Sequence, residues 1–410
     1  MDSGENYKVF SKPLMPADIA KRLIDLSECV KFLEENNNLL RVKAEIEAVH
    51  ELAGIAKKLE GGRPVLFENV KRSSFPVLIG LLWNRDIVGS IFNAPKEEVS
   101  LLIAEAIGPW QKNKEAIPSP IIEKGPANEI IESDIDLYKL PIPLHAMKDG
   151  GRYLDSSVVI AKNPETGVAN TSIHRMMVTK KDRLTFLVDP DRHLGDFVEI
   201  MERRNQPLPV TINNGISLAP WFAAILPRLG DGKYCIANHM VGNPIGFIKA
   251  QTVDVPAYAD AQFVIEAEIL PNVREEEGPF AEVSGYYGSS DKRWVMKVKA
   301  ITRRKDPIFH SLFSGQEVWN AVGFTAEAKI FAMVKEKVPQ LKAVYLAPGG
   351  CGFYGAVVQV EKDDEDVGKA AIREAFKAFE PLQQVVAVDT DVNLYDPIDI
   401  DWAKTLPVYC

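Results

Sequence analysis

The sequence predicts an α+β chain in three parts: an N-terminal α/β region, a β-rich centre, and a C-terminal α/β unit reached through a long helix. Three observations predict it. Helical and strand-like apolar patterns alternate from Met15 to Gly108. From Tyr153 to Phe309 the pattern changes to short runs rich in β-branched and aromatic residues. Glu317–Val338 then keeps helical periodicity until Pro339 ends it. The parts are bounded at residues 1–110, 111–312 and 313–410.

In chain order, Ile46–Leu59 has apolar residues at helical spacing, and Gly61-Gly62 introduces a short strand at Arg63–Phe67. Glu97–Ile107 is a second amphipathic helix. Pro118, Pro120, Pro126, Pro141 and Pro143 mark an extended linker, because each ring removes a backbone donor. The centre holds strands at Ser157–Ala161, Met177–Thr179, Thr185–Val188, Pro209–Ile212, Gln262–Ile269 and Trp294–Thr302. That spacing suits a barrel or sandwich. Helices at Asp196–Arg204 and Ala219–Leu226 interrupt it. After the long helix come strands at Ala343–Leu346, Ala356–Val360 and Val385–Val388, with a helix at Asp366–Ala378. This last unit is expected to serve oligomerisation. The chain stops at Cys410 after a strand-like region, which leaves room for further sequence beyond it.

Composition excludes several classes. The chain has 410 residues, a net charge of −9 and no dense Lys/Arg tract, so nucleic acid is not an expected partner. No apolar run approaches the roughly 20 residues of a membrane span. The start, Met1 to Pro13, lacks a basic-then-apolar signal pattern. The four cysteines, Cys29, Cys235, Cys351 and Cys410, form no close pair. Together these predict a cytoplasmic protein with reduced thiols.

Three segments carry candidate chemistry. In Arg274-Glu-Glu-Glu-Gly-Pro-Phe-Ala-Glu282, the Gly278-Pro279 turn can bring Glu277 and Glu282 to one place. Paired carboxylates beside a cation can divide, one staying ionised while the other delivers a proton. A solvated acidic turn is the plainer alternative, and Phe280 and Tyr286-Tyr287 argue for a partly buried wall. Asn170-Thr-Ser-Ile-His-Arg175 offers an amide, a hydroxyl and a guanidinium, a set suited to phosphate or carboxylate. It also reads as a strand with a polar face. In Asp189-Pro-Asp-Arg-His193, His193 is either a ligand or a satisfied loop histidine. No HExxH, CxxC or Walker A loop is present, and Gly349-Gly-Cys-Gly352 reads as a tight turn. His50, His145, His239 and His310 have no local partners that raise them above structural histidines.

Taken in order, the motifs resemble the UbiD family. They are Gly61-Gly-Arg-Pro-Val-Leu-Phe-Glu-Asn69, Asp136-Leu-Tyr-Lys-Leu-Pro-Ile-Pro143, Asp149-Gly-Gly-Arg-Tyr153, Asn170–Arg175, Arg192-His193, Gln206-Pro-Leu-Pro-Val210 and Glu277–Tyr287. The resemblance implies a central flavin-binding split β-barrel at 111–312 and a prenylated FMN cofactor. It implies reversible, non-oxidative decarboxylation of an α,β-unsaturated or aromatic acid through a covalent adduct with that flavin. Glu282 would be the proton donor, Arg175 would grip the substrate carboxylate, and Glu277 would orient Arg175. Asn170, Ile173, His174, Arg175, Arg192, His193 and Lys233 would hold the cofactor. A flavin prenyltransferase would supply it, and the enzyme would be a homo-oligomer, a dimer or hexamer.

The family also binds a divalent metal, Mn2+ or Mg2+, with K+ nearby, through Asn, His and Glu. Asn170 and His193 match the first two ligands. The Glu falls nine residues before Gly242, where this chain has Lys233. An ammonium has no lone pair for a metal. Lys233 either points inward and replaces the dication or points to solvent and leaves a weakened site, unless Asp231 serves as ligand from a shifted loop. Some members begin the long helix with Glu-His and carry an Arg eight residues on. This chain has Glu317-Val318 and Ala326, which implies a substrate apolar beyond its carboxylate, with Val283, Val318, Trp319 and Phe324 as candidate walls. Two competing readings are a non-catalytic flavin-binding or scaffold subunit of a (de)carboxylase complex and a split-barrel reductase using ordinary FMN. The altered Lys233 wall favours the first and the Arg175, Glu277 and Glu282 set opposes it, while the lack of a nicotinamide fingerprint opposes the second.

Overall fold

A computed structural model describes residues 15–113, 119–188, 192–226, 229–230, 232–361 and 366–405. The start of the chain, Pro118, the Asp189-Pro190-Asp191 run, Asp231 and Cys410 lie outside the described residues.

The N-terminal region is a mixed sheet with helices around it. Leu40–Ile46, Val65–Val70 and Val77–Ile79 pair in that order, and Phe309–His310 completes the sheet from beyond the centre. The helical pattern expected from Ile46 starts later, at Glu51, because Ile46 pairs with Val70 as the end of a strand. The Pro-rich segment is not a free linker. Ile121–Ile122 pairs with Phe247–Lys249, Ile130–Ile131 pairs with Asp291–Arg303, and Leu137, Leu140 and Ile142 are buried. Its apolar residues bind it to the surface it crosses.

The centre is one antiparallel sheet of nine strands. Its order is Tyr153–Leu154, Met176–Lys180, Arg183–Phe186, Asp291–Arg303, Phe263–Glu277, Leu208–Asn214, Val158–Lys162, Ala169–Ile173, with Ile130–Ile131 off the path. The long hairpin Phe263–Glu277 and Asp291–Arg303 is its spine. Among the described residues no hydrogen bonds close the sheet, so of the barrel or sandwich expected from the strand spacing the structure shows a sheet open along one side. The sequence limits how wide that opening is. Ala169–Ile173 and Met176–Lys180 lie near opposite edges, yet only His174-Arg175 separates them. A fully extended chain gains about 3.3–3.6 Å per residue, so the sheet must curl until its edges nearly meet there. Arg175 therefore sits in the slit.

The long helix is Gln316–Lys337. On its far side Leu341–Leu346, Gly355–Val360 and Gln384–Val388 form a three-stranded sheet against Asp366–Ala378. The segment before Cys410 is helical at Pro397–Thr405 rather than strand-like. Glu327, almost fully buried, ties the parts together. It accepts from Arg85 at 2.8 and 3.1 Å, from Ser100 at 2.5 Å and from the Leu346 amide at 2.9 Å. Arg85 also donates to Asn320 at 3.0 Å and lies 4.3 Å from the centre of the Phe324 ring.

Removing one member of such a pair leaves a buried charge without its partner. Glu327→Gln is expected to lower stability by about 3–5 kcal/mol in urea unfolding. A paired Arg85→Met, Glu327→Met protein, which removes both charges, should recover most of that loss.

Candidate active site

A cavity of about 370 Å3 opens at the slit. Its walls come from Asn170–Arg175, the helix Leu218–Ile225, the turn after Glu277, the long helix and the C-terminal unit. That size is within the usual range for small-molecule and cofactor sites.

One end is built around Arg175. Glu277 is the last residue of its strand and is fully buried. Gly278 follows with φ +90°, and a Cβ there would stand 2.7 Å from the Ser289 carbonyl oxygen, so glycine is needed for the reversal. The turn brings Phe280 and Glu282 back toward Arg175. Arg175 Nε and Nη2 each donate to Glu277 at 3.0 Å, a two-point carboxylate grip. Its Nη1 donates to Glu282. The Phe280 ring centre lies 5.0 Å from the guanidinium carbon. Burial works against the Arg175 charge, but the hydrogen bond and charge of Glu277, with the charge of Glu282, outweigh it and raise its pKa. The Glu282 side chain keeps 38% exposure, whereas that of Glu277 is closed off from solvent.

The sequence reading missed Tyr153 as a member of this end. Its hydroxyl donates to Glu277 at 3.1 Å, and burial, then Glu277, raises its pKa, keeping the proton in place. Its place in Asp149-Gly-Gly-Arg-Tyr153 was the only signal, since Glu277 is 124 residues away. Asp155, also on the cavity wall, was missed too. It bonds His145 and Ser311, each at 2.9 Å, and both partners are distant in sequence.

The other end is cationic. The Asn170 amide donates to His193 Nδ1. His174 bonds the Ser172 hydroxyl at 2.9 Å, and burial lowers its pKa to about 4, so it is neutral. Ile173 lines the wall between them. Arg192 stands at the N-terminus of the helix His193–Arg203, where the backbone dipole adds positive potential. Lys233 is buried, with Nζ donating to the carbonyls of Ala224 at 3.0 Å and Leu226 at 2.8 Å. Burial, then the charges of Arg192 and Lys329, lowers its pKa to about 7. Of the two orientations open in the sequence, Lys233 takes the inward one.

The expected metal ligands Asn170 and His193 do meet. Among the described residues, however, no group of three or more His, Cys, Asp and Glu side chains that could hold a metal occurs. Lys233 brings an amine rather than a carboxylate, and it is the protonated form of that amine that adds positive charge. The described donor set does not fit a divalent cation. It does fit an anion.

The pocket walls also need correction. Val283 and Val318 line the cavity, together with Val322 and Thr325. Residues 318, 322 and 325 share one helix face, from which Trp319 and Phe324 are turned away. Trp319 instead bonds the Val283 carbonyl, and Phe324 packs in the core on Phe222.

Residues 121–317 match the 3-octaprenyl-4-hydroxybenzoate carboxy-lyase Rift-related domain of the UbiD family, and residues 30–107 and 320–406 match its N-terminal and C-terminal domains. The chain is 34% identical to anhydromevalonate phosphate decarboxylase of Methanosarcina mazei, over 90% of this chain and 84% of that protein. It is 28% identical to gallate decarboxylase of Lactiplantibacillus plantarum, over 94% and 84%. An evolved dimeric form of the UbiD-class enzyme HmfF from Pelotomaculum thermopropionicum, solved in complex with prFMN, superposes with a TM-score of 0.88 at 37% identity, over 92% of this chain and 88% of that one.

The buried histidines give the fold an acid limit. His174 and His310 have pKa values lowered by burial from 6.5 to about 4. Between those values the unfolded chain binds protons that the folded chain does not, so stability falls as pH drops through that window. The loss is on the order of 3 kcal/mol per histidine. Urea unfolding at stepped pH should show it, and His310→Asn, which has nothing to titrate, should flatten the slope.

Proposed function

This chain belongs to the UbiD family and is a carboxy-lyase, and we propose that it reversibly decarboxylates an α,β-unsaturated or aromatic acid on a prenylated FMN, with Glu282 as proton donor. The observation that carries this reading is Arg175 in the slit, held by buried Glu277 on one side and half-exposed Glu282 on the other. Related proteins act on anhydromevalonate phosphate and on gallate, and a similar structure contains prFMN. We read the open, curled sheet as a split barrel with the flavin across its slit.

The residues present suit that cofactor. Asn170, Arg192, His193 and Lys233 offer donors and positive charge to its phosphate. Ile173 offers an apolar face to the ring, and Ser172 with neutral His174 forms a polar wall. A bound prenylated flavin would supply the electron sink that a carbanion at an sp2 carbon lacks. Arg175 binds the substrate carboxylate with a fork that stays charged, and Glu277 with Tyr153 keeps that fork aimed. When the substrate takes the Nη1 donor, Glu282 is released from it and takes up a proton from solvent. As CO2 leaves, Glu282 transfers that proton to the carbon that carried the carboxylate. Val283, Leu312, Val318, Val322 and Phe353 leave an apolar space for the rest of the substrate. The proposal includes a homo-oligomer that receives its flavin from a prenyltransferase. A scaffold subunit, the reading that the altered Lys233 wall favours, would have no use for the Arg175 network.

Two measurements test this. Glu282→Gln keeps shape but cannot donate the proton, so turnover should fall about 10²–10⁴-fold while flavin binding persists. Near-normal turnover would remove Glu282 from the mechanism. At the phosphate end, chelator-treated protein should still bind FMN, and Lys233→Met should lose it. Stoichiometric Mn2+ on Asn170, His193 and a carboxylate would overturn the direct lysine–phosphate pairing.

A further inference from the structure

We propose that Asp149 and Trp319 are positioning residues that together fix Glu282 at its working place. The inference rests on Glu282 as proton donor and assigns work to two residues that the Arg175 network does not include.

Glu282 stands on a surface turn that bonds largely to itself. Its own amide donates to the Tyr286 carbonyl at 2.8 Å, Gly285 donates to the Glu282 carbonyl at 3.0 Å, and Gly288 donates to Phe280 at 2.9 Å. Gly285, Tyr286 and Tyr287 are exposed. Such a turn holds its own shape but not its distance from Arg175. Two outside groups supply that, one on each chain neighbour of Glu282. The Ala281 amide donates to Asp149 Oδ1 at 2.8 Å. The Val283 carbonyl accepts from Trp319 Nε1 at 2.9 Å. Other ties, from Gly150 to the Pro279 carbonyl and from the Lys148 amide to the Tyr287 hydroxyl, attach farther along the turn.

Each anchor is itself held. The second Asp149 oxygen accepts the Ala146 amide at 2.9 Å, which fixes the plane of the carboxylate. A Cβ on Gly150 would lie 2.1 Å from the Gly278 carbonyl oxygen, so the loop carrying Asp149 lies directly against the turn. This explains physically why a glycine follows Asp149. Trp319 is on the long helix, and a Cβ on Gly352 would lie 2.2 Å from its carbonyl oxygen, so the C-terminal unit backs it closely. The anchors thus come from different parts of the chain and converge on three consecutive residues. A donor displaced by about 1 Å can lose about 10²-fold in rate, which is the scale on which such anchoring matters.

The test is a double-mutant cycle on the flavin-loaded enzyme. Trp319→Phe keeps the ring and removes the donor. Asp149→Ala removes both acceptors, and Asp149→Asn restores one. Trp319→Phe and Asp149→Ala should each lower kcat about tenfold to a hundredfold. KM, flavin affinity and thermal midpoint should stay near the parent values, and Asp149→Asn should recover part of the loss. In a Glu282→Gln background neither change should cost anything further, because the group they position is already gone. Equal losses in both backgrounds, or an unchanged kcat in the single variants, would overturn the proposal. Parent-like turnover in Glu282→Gln alone would overturn the proton-donor reading beneath it, an outcome distinct from either.

Discussion

The structure depends on one largely buried charge. Arg175 lies where the two edges of the central sheet come together, and a guanidinium out of water is tolerated only with partners that match it. Glu277 is that partner, at the end of the longest strand, with two contacts to Arg175 and a third from Tyr153. Much else follows from it. Tyr153 must keep its proton, Gly278 must reverse the chain in a space with no room for a side chain, and Phe280 must cover the guanidinium. Glu282 then arrives as the one carboxylate of the network that water can reach.

The cavity divides by charge between its ends. At Arg175 two carboxylates face one guanidinium, so the local balance is negative until a protonated group or a second cation is present. At the far end Arg192, Lys233 and a helix N-terminus are opposed by neutral His174 and Asn170. On the proposed function, a cofactor with a phosphate at one end and a reactive ring at the other would follow this gradient. A dication at this end would add its charge beside Lys233 whenever that buried amine is protonated. On the proposed function, a charged Lys233 and a dication are electrostatic alternatives at this end.

How much of this was legible in the sequence follows from where each signal resides. The long helix and the strands of the centre could be read because periodicity is local: Glu317–Val338 was expected and Gln316–Lys337 is observed. The open side of the sheet could not be read, since closure depends on pairing between distant strands. The Pro-rich stretch was misjudged because prolines report missing donors, whereas Leu137 and Ile142 are held by burial. At the site, Arg175, Glu277 and Glu282 could be found through motifs. Tyr153 and Asp155 could not be assigned roles, as their partners are far along the chain. The apolar character of Trp319 makes it a wall candidate in the sequence, while its indole N–H determines its place.

The long helix reconciles these local facts. Val318, Val322 and Thr325 face the cavity, Trp319 faces the Glu282 turn, and Glu327 faces the junction with Arg85, Ser100 and Leu346. One rigid element of 22 residues therefore sets the pocket wall, the height of the acid and the attachment of both flanking units. A hydrophobic stripe alone would hold such a helix loosely in rotation, because apolar contacts have little directional preference. Glu327 and Asn320 remove that freedom through bonds with fixed geometry. With the rotation fixed, the indole of Trp319 points to one carbonyl, and the acid beside that carbonyl acquires a defined distance from Arg175.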